Sequence, residues 1–217
     1  MALNRSLAES LAADPFIGKY VDQCLSPPSP FRGTGQIRLI ILGQDPTVKR
    51  EASRGAIKTV LNLDRPGALR HYLEKVCHAL GLSLDKDIYS TNYVNVFFKV
   101  PPASIKAPDI LGIAKEYCFP PLRDELKAFP EIPILTLGQP LLRQIAGSRA
   151  SAMVRDYWGY NASWRQGKTG PFTHLPAGGN DLQRNVFPFP HQPSSNKLFY
   201  SRRMAGYLQY MKAKCFD

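Results

Sequence analysis

Asp45, Asn92 and His191 are the polar residues that close apolar runs in this 217-residue chain. Asp45, in Gly43-Gln44-Asp45-Pro46, offers a carboxylate. His191, in Pro190-His191-Gln192-Pro193-Ser194, offers an imidazole that can donate a hydrogen bond near neutral pH. Asn92, in Ser90-Thr91-Asn92-Tyr93, offers a carboxamide that presents a donor and an acceptor together to one planar partner. An anion and a donor suit a bond cleavage in which positive charge develops on one fragment and negative charge on the other. The machinery of other chemistries is missing, since no serine sits on a nucleophile elbow and no Gly-rich phosphate loop occurs. Each residue also has an ordinary alternative, an Asp-Pro turn after a strand or an asparagine capping a turn.

The elements that hold these residues follow from the pattern around them. Ile37 to Leu42 is almost wholly apolar and closes at Gly43, which predicts a central parallel strand buried on both faces. Ile88 to Val94, Ile132 to Leu137 and the short run from Val186 predict three more strands. In open α/β sheets ligands bind beyond the carboxyl ends of the strands, where Gln44, Asp45, Asn92 and His191 stand. From Ala68, the residues Leu69, Tyr72, Leu73, Val76, Cys77 and Leu80 recur at helical spacing and stop at Gly81. His71 and His78 fall outside that stripe and are expected in solvent. Ser6 to Leu25 reads as short helices broken at Pro15, Ile110 to Phe129 as a helix broken at Pro120-Pro121, Leu141 to Ile145 as a short helix, and the last helix begins near Ser201.

The three polar motifs, taken in order, resemble the uracil-DNA glycosylase superfamily: Gly43-Gln44-Asp45-Pro46 after the first strand, Asn92 at the end of a middle strand, and a His-Pro-Ser-like turn after the last. Lys99-Val100-Pro101-Pro102 resembles the tail that follows the middle strand in the iron-sulfur subfamily. The likeness covers about Ile37 to Met211. It implies a three-layer α/β/α sandwich with a central, mainly parallel four-stranded sheet, one domain over residues 1–217, and a DNA glycosylase that hydrolyses the bond between a deaminated base and its sugar. Asp45 would then orient water and face the developing oxocarbenium ion, while His191 bonds the leaving base. Asn92 would recognise the base flipped out of the duplex, which is otherwise unreachable. Gln44, largely through its backbone, and Ser194 would line the pocket. Leu198 and Phe199 are candidates for the wedge that props the duplex open.

Three positions depart from that pattern. Gln192 is inserted between His191 and Pro193. Lys58 falls near the place of the aromatic that stacks on uracil, where it either lines the base pocket or points toward phosphate. Val100 replaces a cluster cysteine, and Cys24, Cys77, Cys118 and Cys215 are too widely spread for metal spacing, so neither an iron-sulfur cluster nor any other cofactor or metal is expected. A noncatalytic base-binding module with the same surface is the second expectation.

With 28 Lys and Arg against 17 Asp and Glu, the net charge of +11 suits a polyanionic partner, here DNA. Lys49, Arg50 and Arg54 follow the first motif and Arg202 and Arg203 the last; all five are candidate phosphate contacts, and the first three equally suit a solvated loop. Between Gly147 and Arg184 basic residues alternate with Tyr157, Trp158, Tyr160, Trp164 and Phe172, which suits either base stacking or packing under a long loop. No signal peptide or membrane span is read, so a monomer in the cytoplasm, associated with the nucleoid, is expected. Affinity for an oligonucleotide should fall steeply with salt, by about one unit of log–log slope per phosphate contact. Titrations from low to moderate salt check this, and a flat response refutes it.

Overall fold

The computed structural model describes residues 2–160 and 168–217, without the side chains of 2–6, 193 and 199. The expected strands form, with a fifth added at the edge. Helix α1 (Ala2–Ala13) is followed by a two-residue strand β1 (Phe31–Arg32) and by β2 (Leu39–Gly43). Next come α2 (Ala68–Ala79), the single turn α3 (Leu84–Asp87), β3 (Ile88–Asn92) and α4 (Ile110–Leu126). Strand β4 (Ile134–Leu137) leads into α5 (Gln139–Ile145), the turn α6 (Val154–Tyr157) and β5 (Val186–Phe189). The chain ends in the turns α7 (Gln192–Ser195) and α8 (Leu198–Ser201) and the helix α9 (Met204–Cys215). The sheet runs β1-β3-β2-β4-β5, with every pairing parallel except β1 against β3. The fold is therefore α/β with a five-stranded mixed sheet rather than four strands. Phe31 and Arg32 form too short an extended segment to carry an alternation signal.

Strand β2 is paired on both sides and buried along its whole length, which accounts for the unbroken apolar run that predicts it. Parallel neighbours need long crossovers, and α2, α4 and α5 fall within them. Gly81 takes φ +74° just after α2, where the Leu82 N–H returns to the Cys77 carbonyl and ends the helix. Helix α4 does not break at Pro120-Pro121 as expected. Its buried stripe, Ala114, Cys118, Leu122 and Leu126, continues through the prolines, and α1 packs alongside, so tertiary packing outweighs the two lost amide donors. The Tyr117 hydroxyl also donates to Asp14 Oδ2 at 2.9 Å, tying α4 to the end of α1. His71 and His78 are exposed on α2, as expected. No described helix is long and apolar enough to cross a membrane.

Strand β5 carries Pro188, which a central strand would not tolerate. In a parallel strand the N–H and C=O of one residue point to the same side. The carbonyls of Asn185 and Phe189 accept from Ile134 and Gly138 on the β4 side. Val186 and Pro188 therefore face outward, and the amide that proline lacks would have had no strand to meet. The outward Pro188 carbonyl instead accepts from the Trp158 indole N–H at 2.7 Å. Trp158 is fully buried, stacked on Tyr207 and edge-on to Phe189 and Tyr200. Of the two readings for the aromatics of this region, packing holds for Trp158 and Tyr157, while Trp164 and Arg165 lie outside the described residues. Trp158→Phe should lower unfolding stability by about 2–3 kcal/mol, because it leaves a carbonyl unbonded and a gap beside Tyr207. Urea unfolding measures this, and a loss below about 0.5 kcal/mol would show the edge bond to be dispensable.

Candidate active site

The parallel register sets Gly43, the last residue of β2, opposite Asn92, the last residue of β3. A Cβ on Gly43 would lie 2.4 Å from Asn92 Oδ1 and 2.8 Å from Leu61 Cδ2, so only glycine fits between them. The Gly43 carbonyl accepts from the Tyr93 N–H and the Gln44 carbonyl from the Val94 N–H, so pairing with the segment after β3 continues past the strand end. The side chain of Gln44 then turns toward its neighbour and Nε2 donates to Asp45 Oδ2 at 2.7 Å. Asp45 Oδ1 accepts from the Thr47 N–H at 2.8 Å, an Asx-type turn that fixes the carboxylate. Thr47 Oγ1 in turn accepts from the Phe98 N–H at 2.8 Å.

Burial is the main influence on the Asp45 carboxyl group and raises its pKa above the ordinary aspartate value. The hydrogen bonds from Thr47 and Gln44, together with the nearby Arg54 cation, oppose that rise without cancelling it. Arg54 is not a surface contact for phosphate, because only 2% of it is exposed. Its guanidinium donates to the Val48 carbonyl at 3.0 Å and the Lys99 carbonyl at 2.7 Å, which closes the loop after Asp45 against the segment after β3. The alternation of charge along Lys49 to Gly55 cannot distinguish a buried cation from its exposed neighbours.

His191 follows β5 through the buried Pro190 and caps the single turn α7, its carbonyl accepting from the Ser194 N–H at 2.7 Å. Gln192 is the first residue of that turn and Pro193 falls within it. Gly138, at φ +95° after β4, brings its Cα close to the His191 side chain, so that a Cβ there would lie 3.6 Å from His191 Cβ. His191 is exposed at the rim, yet the protein around its ring lowers the pKa below the ordinary imidazole value through desolvation. The ring is therefore neutral at neutral pH and carries one N–H donor.

Asp45 and His191 line the same two adjoining pockets. The first, of about 320 Å³, is walled by Gly43, Gln44, Leu61, Pro101, Leu137 and Gly138. The second, of about 340 Å³, extends from Leu61 and Leu69 over Val48 and Ile57 to the start of α2 at Gly67-Ala68. Ser194 and Lys197 lie with His191 on a third pocket of about 320 Å³, on the side of Tyr200. A larger hollow of about 690 Å³, between Gly147 and Asp181, contains none of these residues. Asn92 is 3% exposed; its Nδ2 donates to Asn95 Oδ1 at 3.2 Å, and its Oδ1 is buried without a hydrogen-bond partner.

Some of the expected residues stand apart from this group. Lys58 is exposed and lines neither pocket that Asp45 and His191 share. Leu61, three residues on, occupies the wall of both in a left-handed conformation at φ +55°, followed by Asn62 at φ +59°. Nothing in a leucine signals that backbone, so no sequence rule finds it. Thr47 could have been found, as the natural donor to an aspartate two residues earlier. Lys49, Arg50 and Arg202 are exposed and free to meet a polyanion. Arg203 is occupied, with Nη2 donating to the Gly170 carbonyl at 2.9 Å and the guanidinium 4.2 Å from the centre of the Phe172 ring. The four cysteines are unpaired, and no cluster able to hold a metal occurs among the described residues. No protein-family model and no curated protein matches the chain.

The raised pKa of Asp45 has a stability consequence with a definite sign. The folded state holds the proton to higher pH than the unfolded chain, so stability is greatest below the unfolded aspartate value. It declines as pH rises from there through the folded value. Asp45→Asn removes the buried charge while keeping an acceptor for Thr47. The variant should melt above the parent at pH 7, and the difference should shrink as pH falls below about 4. Thermal melts across that range check this; a variant less stable than the parent at pH 7 would show that the charged form is the better accommodated one.

Proposed function

We propose that the protein is a monofunctional DNA glycosylase of the uracil-DNA glycosylase type, hydrolysing the N-glycosidic bond of a deaminated base, uracil foremost, in base-excision repair. The observation that carries this reading is the shared pocket of Asp45 and His191, beside the strand ends that bring Gly43 and Asn92 together. Departure of a base leaves positive charge on the sugar and negative charge on the base. Asp45, ionised, stabilises the first and orients the attacking water; the neutral His191 N–H bonds the second. Desolvation strengthens both interactions and also raises the pH at which Asp45 becomes ionised.

The right-handedness of parallel crossovers supports the finer architecture too. The chain passes from β2 by α2 to β3 in one direction and returns by α4 to β4 in the other, and right-handed crossovers of opposite direction favour α2 and α4 on opposite faces, as in a three-layer sandwich. The contacts of α2 with α9, and of α4 with α1 and α5, agree with that grouping. Lys49, Arg50 and Arg202 supply phosphate contacts around the pocket. Leu198, 61% exposed and next to Lys197 on the His191 side, is the wedge; the side chain of the other candidate, Phe199, lies outside the described residues. A noncatalytic base-binding module is the second reading. It draws on the exposure of His191 and on Gln44, whose bond to Asp45 occupies a carboxylate oxygen that catalysis would use.

Incubation with oligonucleotides containing uracil, hypoxanthine or mismatches, scored for abasic sites, separates the two. Asp45→Asn and His191→Ala should each lower single-turnover cleavage by about a hundredfold or more and change DNA affinity by less than about threefold. Cleavage should rise with pH as Asp45 ionises and hold through the neutral range, where His191 is uncharged. Binding without abasic sites in any strand would establish the noncatalytic module.

A further inference from the structure

Leu61 holds a backbone conformation that leucine avoids, and it holds it at the site. Its φ of +55° and ψ of 10° are left-handed, and Asn62 follows at φ +59°. Consecutive left-handed residues without a glycine persist only where their surroundings impose the strain, and such strain collects at ligand clamps. The surroundings here impose it from both sides. Upstream, the Val60 N–H donates to the Ser29 carbonyl at 2.9 Å and the Ser29 N–H to the Lys58 carbonyl at 2.8 Å. Downstream, Arg65 Nε donates to Asn62 Oδ1 at 2.7 Å, and Arg70 bonds the Leu63 carbonyl while its Nη2 meets both oxygens of Asp85. What the anchored turn delivers is the Leu61 side chain. Its Cδ2 lies over the bare Cα of Gly43, and Leu61 lines both pockets that Asp45 and His191 share. With Leu69, Pro101 and Leu137 it makes the apolar wall of the first. Apart from His191, no aromatic residue lines either pocket among the described residues.

Resting on the glycosylase reading above, we infer that Leu61 is the platform against which the flipped base packs, and that this aliphatic platform widens the substrate class to ring-saturated pyrimidines, with dihydrouracil taken as readily as uracil. An aromatic platform rewards the flat π-face of its guest, and that face is lost when the C5–C6 double bond is saturated. An aliphatic platform offers dispersion contact and exclusion of water, and both survive the pucker and added hydrogens of a saturated ring. The pairing edge, with its two carbonyls and the ring N–H between them, is the same in the two bases, so every polar contact to it is shared. Saturation alters the face of the base and leaves its edge intact, and the face is what meets Leu61.

Binding in an Asp45→Asn background, which holds the base without cleaving it, tests this with single strands bearing one uracil or one dihydrouracil, each compared with the same strand carrying a baseless sugar there. Single strands remove the cost of opening a duplex. Each base should add about tenfold or more to the affinity, and the two gains should agree within about threefold. Leu61→Gly keeps the turn, because glycine accepts φ +55° without strain, and should cut both gains alike by about tenfold. Leu61→Phe supplies a π-face and should favour uracil over dihydrouracil by about tenfold. A gain from uracil at least tenfold above that from dihydrouracil in the Leu61 protein, or unchanged gains in Leu61→Gly, overturns the inference. Abasic sites formed at uracil by a protein that does not bind dihydrouracil would overturn this inference alone. Equal binding of the two bases without abasic sites from either would overturn the glycosylase and leave Leu61 as the platform of a binding module.

Discussion

Parallel pairing is the constraint on which the rest of the structure depends. Because β3, β2, β4 and β5 all run the same way, each carboxyl end opens on one edge of the sheet, and residues far apart in the chain arrive there together. Register then refines the placement. Gly43 lies opposite Asn92, and the first residue with a Cβ beyond it, Gln44, sends its carbonyl back to Val94 and its side chain to Asp45. A slip of one residue would put a side chain where the Asn92 carboxamide sits and would exchange the two buried faces of β2.

Around this edge polar groups are held in place at the expense of solvation. The Asp45 carboxyl group is supported by three donors, from Gln44 and from the backbone and side chain of Thr47, with the buried Arg54 nearby, and burial still dominates its titration. Arg54 does not pair with it directly; the guanidinium bonds two carbonyl oxygens on separate loops, so its charge acts on Asp45 at longer range. The result is a carboxylate positioned by neutral groups, with both oxygens in fixed directions and its negative charge only partly compensated.

How much of this could be read from the chain varies with the length scale of the signal. Strands β2 and β3 and helix α2 were plain, since a run of apolar residues or a stripe at helical spacing reports the burial that causes it. Asp45 and His191 were legible as polar residues that end such runs, whereas Asn92 ends its strand inside the core, only 3% exposed, which the sequence pattern does not signal. Arg54 and Lys58 were not legible. Both are cations in one polar segment, and only the three-dimensional path of the loop sends the first inward and leaves the second outside. Leu61 was hidden for a different reason, as its role comes from a backbone conformation that surrounding contacts impose and that leucine does not favour. Pro120 and Pro121 predict a break in α4 because a proline inside a helix costs about 3 kcal/mol, a local signal that the buried packing of Cys118 and Leu122 outweighs.

The edge at β5 has a bearing on how the molecule behaves in a crowded solution. An exposed strand with free donors and acceptors recruits other chains into its sheet and begins aggregation. Here Val186 exchanges both of its outward hydrogen bonds with Leu175, Pro188 has no donor, and its acceptor is held by Trp158. The opposite edge, β1, is two residues long and ends within a loop. Neither border of the sheet therefore presents a ladder that a foreign strand could extend, and the aromatic residue that anchors the core also serves as the guard of its margin.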